Sequence, residues 1–195
     1  MTYTQKLTFA DYLTLADTGL ARRAELIDGE LIELPPESGL NTSIAMFVVS
    51  QLLGMGVPYY LLKLYNCEIQ TPVLAPKDAA NCYPDLVVIR DEHVKLCRHR
   101  MTITLDMPPP SWVMEVVSLG KNNRHRDYIR KRAQYAAVGI PEYVMVDPPE
   151  GVVLVLQLEN GFYQEVGCYQ GQQRVNSPTF PTLDLTAAQI FAAGQ

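Results

Sequence analysis

The sequence predicts an α+β domain of mixed α/β character, with a β-hairpin at each end of a helix–strand core. Apolar, β-branched runs at 61–73, 83–90 and 112–118 follow a predicted helix, and a second long helix precedes an apolar run at 142–147. Asp-Gly and Asn-Gly turns mark the two hairpins. The order helix, three strands, helix, strand therefore predicts a single domain across residues 1–195.

The N-terminal elements follow from turn and capping signals. Residues 8–16 place apolar side chains on one side of a short helix. Asp28-Gly29 supplies the positive φ values that a type I′ turn needs between the two strands of a hairpin over 24–34. Either Asn41 or Ser43 suits the N-cap of the next helix, which two glycines end.

The connection at 91–110 is long for a compact domain and mixes basic residues with two histidines. Such a segment predicts a functional or mobile loop. The remaining predicted elements are a helix from Asn122 or Asn123 through Ala137, strands at 152–158 and 162–169 joined at Asn160-Gly161, and a closing helix at 186–193.

Composition and charge limit the classes of function. The 195 residues are 48% hydrophobic with a net charge of -5, which excludes global disorder and argues against a general nucleic-acid coat protein while allowing a local basic groove. Because no basic N-terminal start precedes an apolar run and no run is long enough to span a membrane, we expect a cytoplasmic protein without membrane association. Four dispersed cysteines predict free thiols, and His93, His99 and His125, which lack metal-ligand spacing, predict solvated side chains.

Two carboxylates stand in apolar surroundings where a charge is costly. Asp85 follows Tyr83-Pro84 and heads an apolar run, and Glu115 lies within the run at 112–117. An unpaired buried charge is destabilising unless a metal or an ion partner offsets it. Asp85 alone is also consistent with a turn-capping acid, and Glu115 with a buried structural ion pair. If their strands are neighbours, both carboxylates can reach one hard divalent cation.

The helix after Glu115 carries a basic run. Asp127, Lys131 and Tyr135 are spaced i, i+4, i+8 and lie on one helical face, which favours an inward position for Lys131. The other basic residues suit either a solvated face or phosphate binding. They are Lys121, Arg124, Arg126, Arg130 and Arg132.

Together these motifs resemble a family of bacterial proteins classed as restriction endonucleases within the PD-(D/E)XK nuclease superfamily. The matching segments, in order, are the opening hairpin at 24–30, then 83–88, 115–118, Asp127 with Lys131 and Tyr135, 139–143 and 146–148. The resemblance spans roughly residues 9–185. Several separate motifs in a fixed order make it more specific than an isolated Pro-Asp pair.

The resemblance implies a restriction-endonuclease-like αβββαβ core and Mg²⁺- or Mn²⁺-dependent hydrolysis of phosphodiester bonds in DNA. It implies Asp85 and Glu115 as metal ligands, with the backbone carbonyl of Val116 as a third. The superfamily's usual motif has a lysine two residues after the second acid, where this chain has Val117. In the resembled family a lysine on the following helix takes that place, and Lys131 is in register to orient the attacking water and stabilise charge on the phosphate.

Further positions match the resembled family less directly. Glu25 matches an acid of the opening hairpin and would complete the metal site, although an ordinary strand-edge acid is the alternative. Glu68 is a weaker candidate for the same task. Asn41 occupies the place where the family often has a histidine, and Asp147 before Pro148 is more consistent with a turn-forming acid.

Two functions are compatible with these residues. A metal-dependent endonuclease would use the basic helix, with Arg98 and Arg100 of the long connection, to contact DNA phosphates. A catalytically inactive nuclease fold, kept as a nucleic-acid-binding or assembly module, is the alternative that the acidic net charge and Val117 favour. The exposed edge of the C-terminal hairpin suggests a homodimer, and we expect no organic cofactor because no glycine-rich nucleotide loop is present.

Overall fold

The protein folds around a mixed sheet that uses the apolar runs of the sequence as its central strands. A computed structural model describes residues 6–16, 23–118, 120 and 124–194. The strands are β1 Ala24–Ile27, β2 Glu30–Glu33, β3 Leu62–Leu64, β4 Glu68–Gln70, β5 Asn81–Cys82, β6 Leu86–Val88, β7 Thr102–Ile103, β8 Trp112–Val116, β9 Glu142–Asp147, β10 Val152–Glu159 and β11 Phe162–Gln170. The helices are α1 Phe9–Ala16, α2 Gly39–Gly54, α3 Asp91–Leu96, α4, which joins a π-helical stretch Arg126–Lys131 to α-helical Arg132–Val138, and α5 Ala187–Ala192, with a 3₁₀ turn at Tyr59–Leu61.

Six strands form the main sheet in the order β11-β10-β9-β8-β6-β3. β8 and β9 run parallel, and the other neighbouring pairs are antiparallel. A parallel pair needs a crossover connection, and α4 supplies it between β8 and β9. The succession α2, β3, β6, β8, α4, β9 confirms the predicted αβββαβ core and the α+β fold class.

Each face of the main sheet packs against a different layer. On β8, Met114 and Val116 join the cluster formed with α2 and α5, whereas Val113 joins the cluster formed with α4 and a second, three-stranded sheet. That second sheet has the order β5-β4-β7. Because side chains alternate across a strand, Glu115 belongs to the α4 face.

Both predicted hairpins are present. β1 pairs with β2 around Asp28-Gly29, whose φ values are 52° and 81°, and β10 pairs with β11 around Asn160-Gly161, at 52° and 84°. All four angles lie in the left-handed region that a type I′ turn requires. The predicted closing helix is also confirmed as α5, with the Thr186 side chain as its cap.

The second sheet anchors the N-terminal hairpin. Asn81, which is fully buried, donates through Nδ2 to Ala24 O at 2.8 Å and to Glu68 Oε1 at 2.7 Å, and its Oδ1 accepts from Leu26 N at 2.7 Å. Ala80 N also donates to Leu26 O at 2.8 Å. The position of β1 therefore depends on the Asn81 side chain together with a backbone hydrogen bond from Ala80.

Two sequence-based boundaries were wrong. The predicted strand at 61–73 is divided into β3 and β4, which belong to different sheets, because Tyr65 between them has a φ of 58° and turns the chain. The predicted cap Asn41 or Ser43 is replaced by Ser38, whose side chain accepts a hydrogen bond from Asn41 N.

The connection at 91–110 is not an irregular loop, since it contains α3 and β7. The prediction of a solvated His93 was wrong, because this side chain is fully buried. Its Nδ1 accepts from Arg90 N at 3.0 Å, and its Nε2 lies 2.8 Å from Pro108 O, so it fastens both ends of the connection. His99 and His125 are exposed. Within the described ranges, no helix combines the length and apolar character needed to cross a membrane.

Candidate active site

The register of two central strands brings the predicted carboxylates together. β6 and β8 are antiparallel with Leu86 opposite Met114, and one further step along this ladder sets Asp85 beside Glu115. Only 5% of Asp85 and 3% of Glu115 is exposed. Asp85 Oδ2 accepts a hydrogen bond from Val116 N, which holds the carboxylate against the end of β8.

Lys131 from α4 reaches the same place. Its Nζ lies 2.8 Å from Glu115 Oε1 and 3.4 Å from Asp127 Oδ1, and 3% of the residue is exposed. Tyr135, one turn further, donates its hydroxyl to Glu115 Oε1 at 2.6 Å. The i, i+4, i+8 face of the helix therefore faces the carboxylate of β8.

Aromatic packing fixes α4 against the sheet. The rings of Tyr135 and Tyr143 meet edge to face with their centroids 5.1 Å apart, and the Tyr143 hydroxyl donates to Asp127 O at 3.2 Å. This hydroxyl reaches the backbone of the π-helical stretch, a type of helix distortion often found at functional sites. At the superfamily's lysine position, Val117 is 2% exposed and packs in the core.

The buried charges alter one another's protonation. Burial, followed by the charge of Glu115, raises the pKa of Asp85 well above its usual range. Burial also raises the pKa of Glu115, while the neighbouring ammonium of Lys131 acts in the opposite direction. For Lys131, burial alone would lower the pKa, but the carboxylates of Glu115 and Asp127 outweigh it and raise the pKa, which keeps the ammonium charged.

Asp85, Glu115 and Lys131 line a cavity of about 100 Å³ beneath the N-terminal hairpin. Its charged lining comprises four carboxylates and three cations, namely Glu25, Glu37, Asp85, Glu115, Arg23, Arg126 and Lys131. A wider groove of about 560 Å³ shares Glu25, Arg126 and Lys131 with this cavity. The catalytic candidates therefore lie where a confined cavity meets a larger groove.

The oxygen atoms at the cavity have the chemistry that a divalent cation prefers. Among the described residues, no three histidine, cysteine, aspartate or glutamate side chains converge, so a cation here would also need backbone or water oxygens. Within the described part of the chain, no hydrogen bond engages Asp85 Oδ1 or Glu115 Oε2. The Val116 carbonyl accepts one bond, from Asn41 Nδ2 at 3.2 Å, which leaves a second lone pair. Two carboxylate oxygens and one carbonyl suit a hard cation such as Mg²⁺ or Mn²⁺.

Comparison with known proteins shows the family of this chain. The model of the Uma2 family, described as "Putative restriction endonuclease", matches residues 9–188. The chain belongs to this family. A crystal structure from Anabaena variabilis ATCC 29413, described as "a putative nuclease belonging to DUF820", is similar with a TM-score of 0.68 and 18% identity, over 97% of this chain and 99% of that chain. No curated protein matches the sequence. Membership of the Uma2 family indicates a nuclease.

In this Uma2 chain, three other predicted site residues line the groove. Glu25 projects from β1 and is 6% exposed. Arg126 Nε lies 3.2 Å from Asp127 Oδ1. Arg130 Nη1 donates to Lys77 O at 2.6 Å. The structure therefore brings these side chains to one surface around Lys131.

The remaining basic candidates of the helix are held elsewhere or lie outside the described residues. The Arg124 guanidinium pairs with the fully buried carboxylate of Asp147. Arg132 donates to Tyr163 O at 3.0 Å. Lys121 lies outside the described residues.

Glu68 belongs to a separate buried network. Its carboxylate accepts hydrogen bonds from Asn81 Nδ2 at 2.7 Å, from Arg100 Nη2 at 2.9 Å and from the Thr102 hydroxyl. Neither Glu68 nor Arg100 lines the cavity or the groove. This network ties β4 to β7, while Arg98 is exposed on the surface.

Sequence reasoning missed Arg23 and Glu37, which line the cavity from the two ends of the N-terminal hairpin. A signal for Arg23 was available, because it precedes Glu25 by two residues and such residues share one face of a strand. Glu37 follows Pro35-Pro36, where no periodic pattern predicts a direction for the side chain.

Proposed function

We propose that this Uma2-family chain is a metal-dependent endonuclease that hydrolyses phosphodiester bonds in DNA, with the active site in one domain formed by residues 1–195. The observation that carries the proposal is the pairing of Asp85 with Glu115 across β6 and β8, with Lys131 Nζ 2.8 Å from Glu115 Oε1. Two acids and an ammonium at one small cavity form a donor set suited to a metal, a water molecule and a phosphate.

Asp85, Glu115 and the Val116 carbonyl would hold Mg²⁺ or Mn²⁺, and the bound cation would supply Lewis-acid activation of water. Lys131 would orient that water and stabilise negative charge on the phosphate, because its ammonium stays charged beside Glu115 and Asp127. Tyr135 would fix the orientation of Glu115 through its hydroxyl. Asn41 Nδ2 would fix the Val116 carbonyl in the same way.

The groove beside the cavity would take the DNA backbone. Glu25 would complete the metal site from the hairpin side, and Arg126 and Arg130 would contact phosphates along the groove. Lys121, at the start of the basic run, would extend this contact surface, and Arg124 would join it by exchanging its ion pair with Asp147 for a phosphate. A homodimer in the cytoplasm, which would allow cleavage of both strands, remains part of the proposal.

A plasmid-nicking assay tests the proposal. Supercoiled DNA is incubated with Mg²⁺ or Mn²⁺ and with wild type, Asp85→Asn, Glu115→Gln or Lys131→Met, and circular dichroism checks the fold of each variant. Wild type should nick the plasmid, and each variant should lose about 10²–10³-fold in rate. Glu165→Gln, at a site on β11 outside the cavity, is the matched control and should cleave like wild type.

Retained cleavage in folded Glu115→Gln would contradict the assignment. If wild type binds DNA without nicking it in either metal, the inactive nucleic-acid-binding module is the better description. The chain would then use the cavity charges for binding alone.

A further inference from the structure

We infer that Arg23 binds the substrate phosphate beside Asp85 and Glu115, an inference that rests on the proposed function. Arg23 directly precedes β1 and lines the cavity of about 100 Å³ that contains both carboxylates and Lys131. Its backbone is fixed to the far end of the hairpin, since Leu34 N donates to Arg23 O at 2.8 Å. The side chain therefore enters the cavity from a defined point.

The guanidinium is held in place by two aromatic rings and one carboxylate. Its central carbon lies 5.5 Å from the Tyr83 ring centroid and 5.8 Å from that of Tyr65. Its Nη2 lies 2.9 Å from Glu37 Oε1. A guanidinium held this way keeps a fixed fork of N–H donors, and this fork matches the oxygens of a phosphate.

Part of this donor fork is unused. The Arg23 Nε is buried and has no hydrogen-bond acceptor among the residues that the structure describes, and no hydrogen bond within them engages Nη1. A buried donor without an acceptor is destabilising, so its retention calls for an explanation. An anion entering the cavity would provide acceptor oxygens after a small movement of the guanidinium.

Arg23 has fewer carboxylate partners than Lys131, and its ion pair is more exposed, so it is well placed to bind a phosphate. Lys131 and Arg126 would share their proposed phosphate contacts with carboxylates already beside them, which are Glu115 and Asp127 for Lys131 and Asp127 for Arg126. Arg23 is paired with Glu37 alone among described residues, and the two side chains are 30% and 24% exposed. A partly exposed ion pair is readily exchanged for another anion.

The net charge of the cavity lining points to the same ligand. Four carboxylates and three cations leave one formal negative charge, which a divalent cation would convert into one positive charge. The loaded cavity would then attract an anionic phosphate, and Arg23 would meet that phosphate from the start of the N-terminal hairpin.

Titration calorimetry with inorganic phosphate in the presence of Mg²⁺ tests the phosphate site directly. Arg23→Gln should weaken phosphate binding about tenfold relative to wild type. Glu37→Gln breaks the same ion pair but leaves the guanidinium, so it should bind phosphate at least as tightly as wild type. Arg132→Gln, which removes a guanidinium bonded to Tyr163 O, is the matched control and should leave binding unchanged.

Equal loss in Arg23→Gln and Glu37→Gln would show that the ion pair is only structural and would overturn the inference. Undiminished binding in Arg23→Gln, or no phosphate binding by wild type, would overturn it as well.

Single-turnover plasmid cleavage separates this inference from the proposed function. Arg23→Gln should cleave about 100-fold more slowly than wild type, and Arg23→Lys should recover part of the rate because it keeps the charge without the planar fork. Wild-type rates in Arg23→Gln would overturn the role of Arg23 while the nuclease assignment stands. A further outcome is a wild type that binds phosphate without cleaving DNA, with weaker phosphate binding in Arg23→Gln. In that outcome the nuclease assignment fails and the phosphate site stands.

Discussion

At the residue scale, the centre of this molecule is a buried charge network in which each member depends on the others. Glu115 accepts from both Lys131 and Tyr135, and Lys131 also contacts Asp127. Removing one partner of such a pair leaves an uncompensated buried charge, which is more destabilising than removing both partners. Stability measurements on variants can therefore detect the network without any assay of activity.

Lys131→Met should lower the free energy of unfolding by about 3–5 kcal/mol, because it leaves the buried Glu115 carboxylate without a cation and leaves Asp127 with Arg126 alone among the described cations. The double variant Glu115→Gln/Lys131→Met should be less destabilised than Lys131→Met alone. Urea unfolding monitored by circular dichroism measures both effects. A double variant that loses the sum of the two single losses would contradict the coupling.

The stability of the metal-free protein should depend on Asp85 and on pH. Burial and the charge of Glu115 raise the pKa of Asp85, so the folded state binds a proton more tightly than the unfolded state does. The resulting contribution to stability is present at low pH and is lost as the pH rises through the raised pKa. Asp85→Asn should therefore raise the melting temperature of the metal-free protein at neutral and alkaline pH, and the gain should shrink on acidification.

In the metal-free protein at neutral pH, Asp85→Asn should melt at a higher temperature than wild type. Added Mg²⁺ or Mn²⁺ should reverse this order of melting temperatures. Wild type should gain melting temperature with the metal, and more so as the pH rises, because the metal competes with a proton for Asp85. Asp85→Asn should gain little. An equal metal-induced shift in both proteins would remove Asp85 from the proposed ligands.

At the element scale, the strands and the basic helix were predictable where the sequence pattern is long and regular. The apolar run around Glu115 became β8, and the i, i+4, i+8 spacing placed Lys131 against the sheet. The division of 61–73 was not predictable, since it depends on a left-handed Tyr65 that no local preference favours. The strands of the second sheet are two or three residues long, too short for a periodic signal.

The cavity was only partly predictable for a related reason. Its carboxylates and lysine follow from motifs, whereas Arg23 and Glu37 come together through the hairpin fold and not through spacing in the sequence. When a tertiary contact determines where a side chain points, no periodic pattern in the sequence predicts that direction.

A lysine placed on the strand after Glu115 should replace part of the function of Lys131 on α4. Val117 lies two residues after Glu115, so the two side chains share one face of the strand, and a lysine there would approach Glu115 from within the sheet. We expect Lys131→Met to slow plasmid nicking about 10²–10³-fold and Val117→Lys/Lys131→Met to restore part of the rate. Val117→Met/Lys131→Met, similar in length without the charge, is the control, and nicking by this control at the level of the lysine variant would contradict the expectation.

At the scale of the whole molecule, the N-terminal hairpin completes the cavity without belonging to the main sheet. Its side-chain anchor is Asn81, which bonds Ala24 O and Leu26 N beside the backbone bond from Ala80 N to Leu26 O. Both Glu25 and Arg23 depend on this anchor for their position. The hairpin is thus a separate layer whose docking decides whether the cavity is closed.

Asn81→Ala should destabilise the protein by about 1–3 kcal/mol, because it leaves buried backbone groups of β1 without partners. It should also increase amide exchange at Leu26 and slow plasmid nicking. Hydrogen exchange with mass spectrometry follows the hairpin, and Asn176→Ala, at an exposed position, is the control. Unchanged exchange at Leu26 in Asn81→Ala would contradict the anchoring role.

The ammonium of the site comes from α4, whereas the two carboxylates come from the neighbouring strands β6 and β8. Asp85 and Glu115 precede Lys131 in the chain, and the ammonium lies beside Glu115 only while α4 is packed against the main sheet. A chain in which α4 is detached would keep the two acids without the cation beside them. Under the proposed activity, the complete set of catalytic groups therefore depends on the packing of one helix as well as on the pairing of two strands.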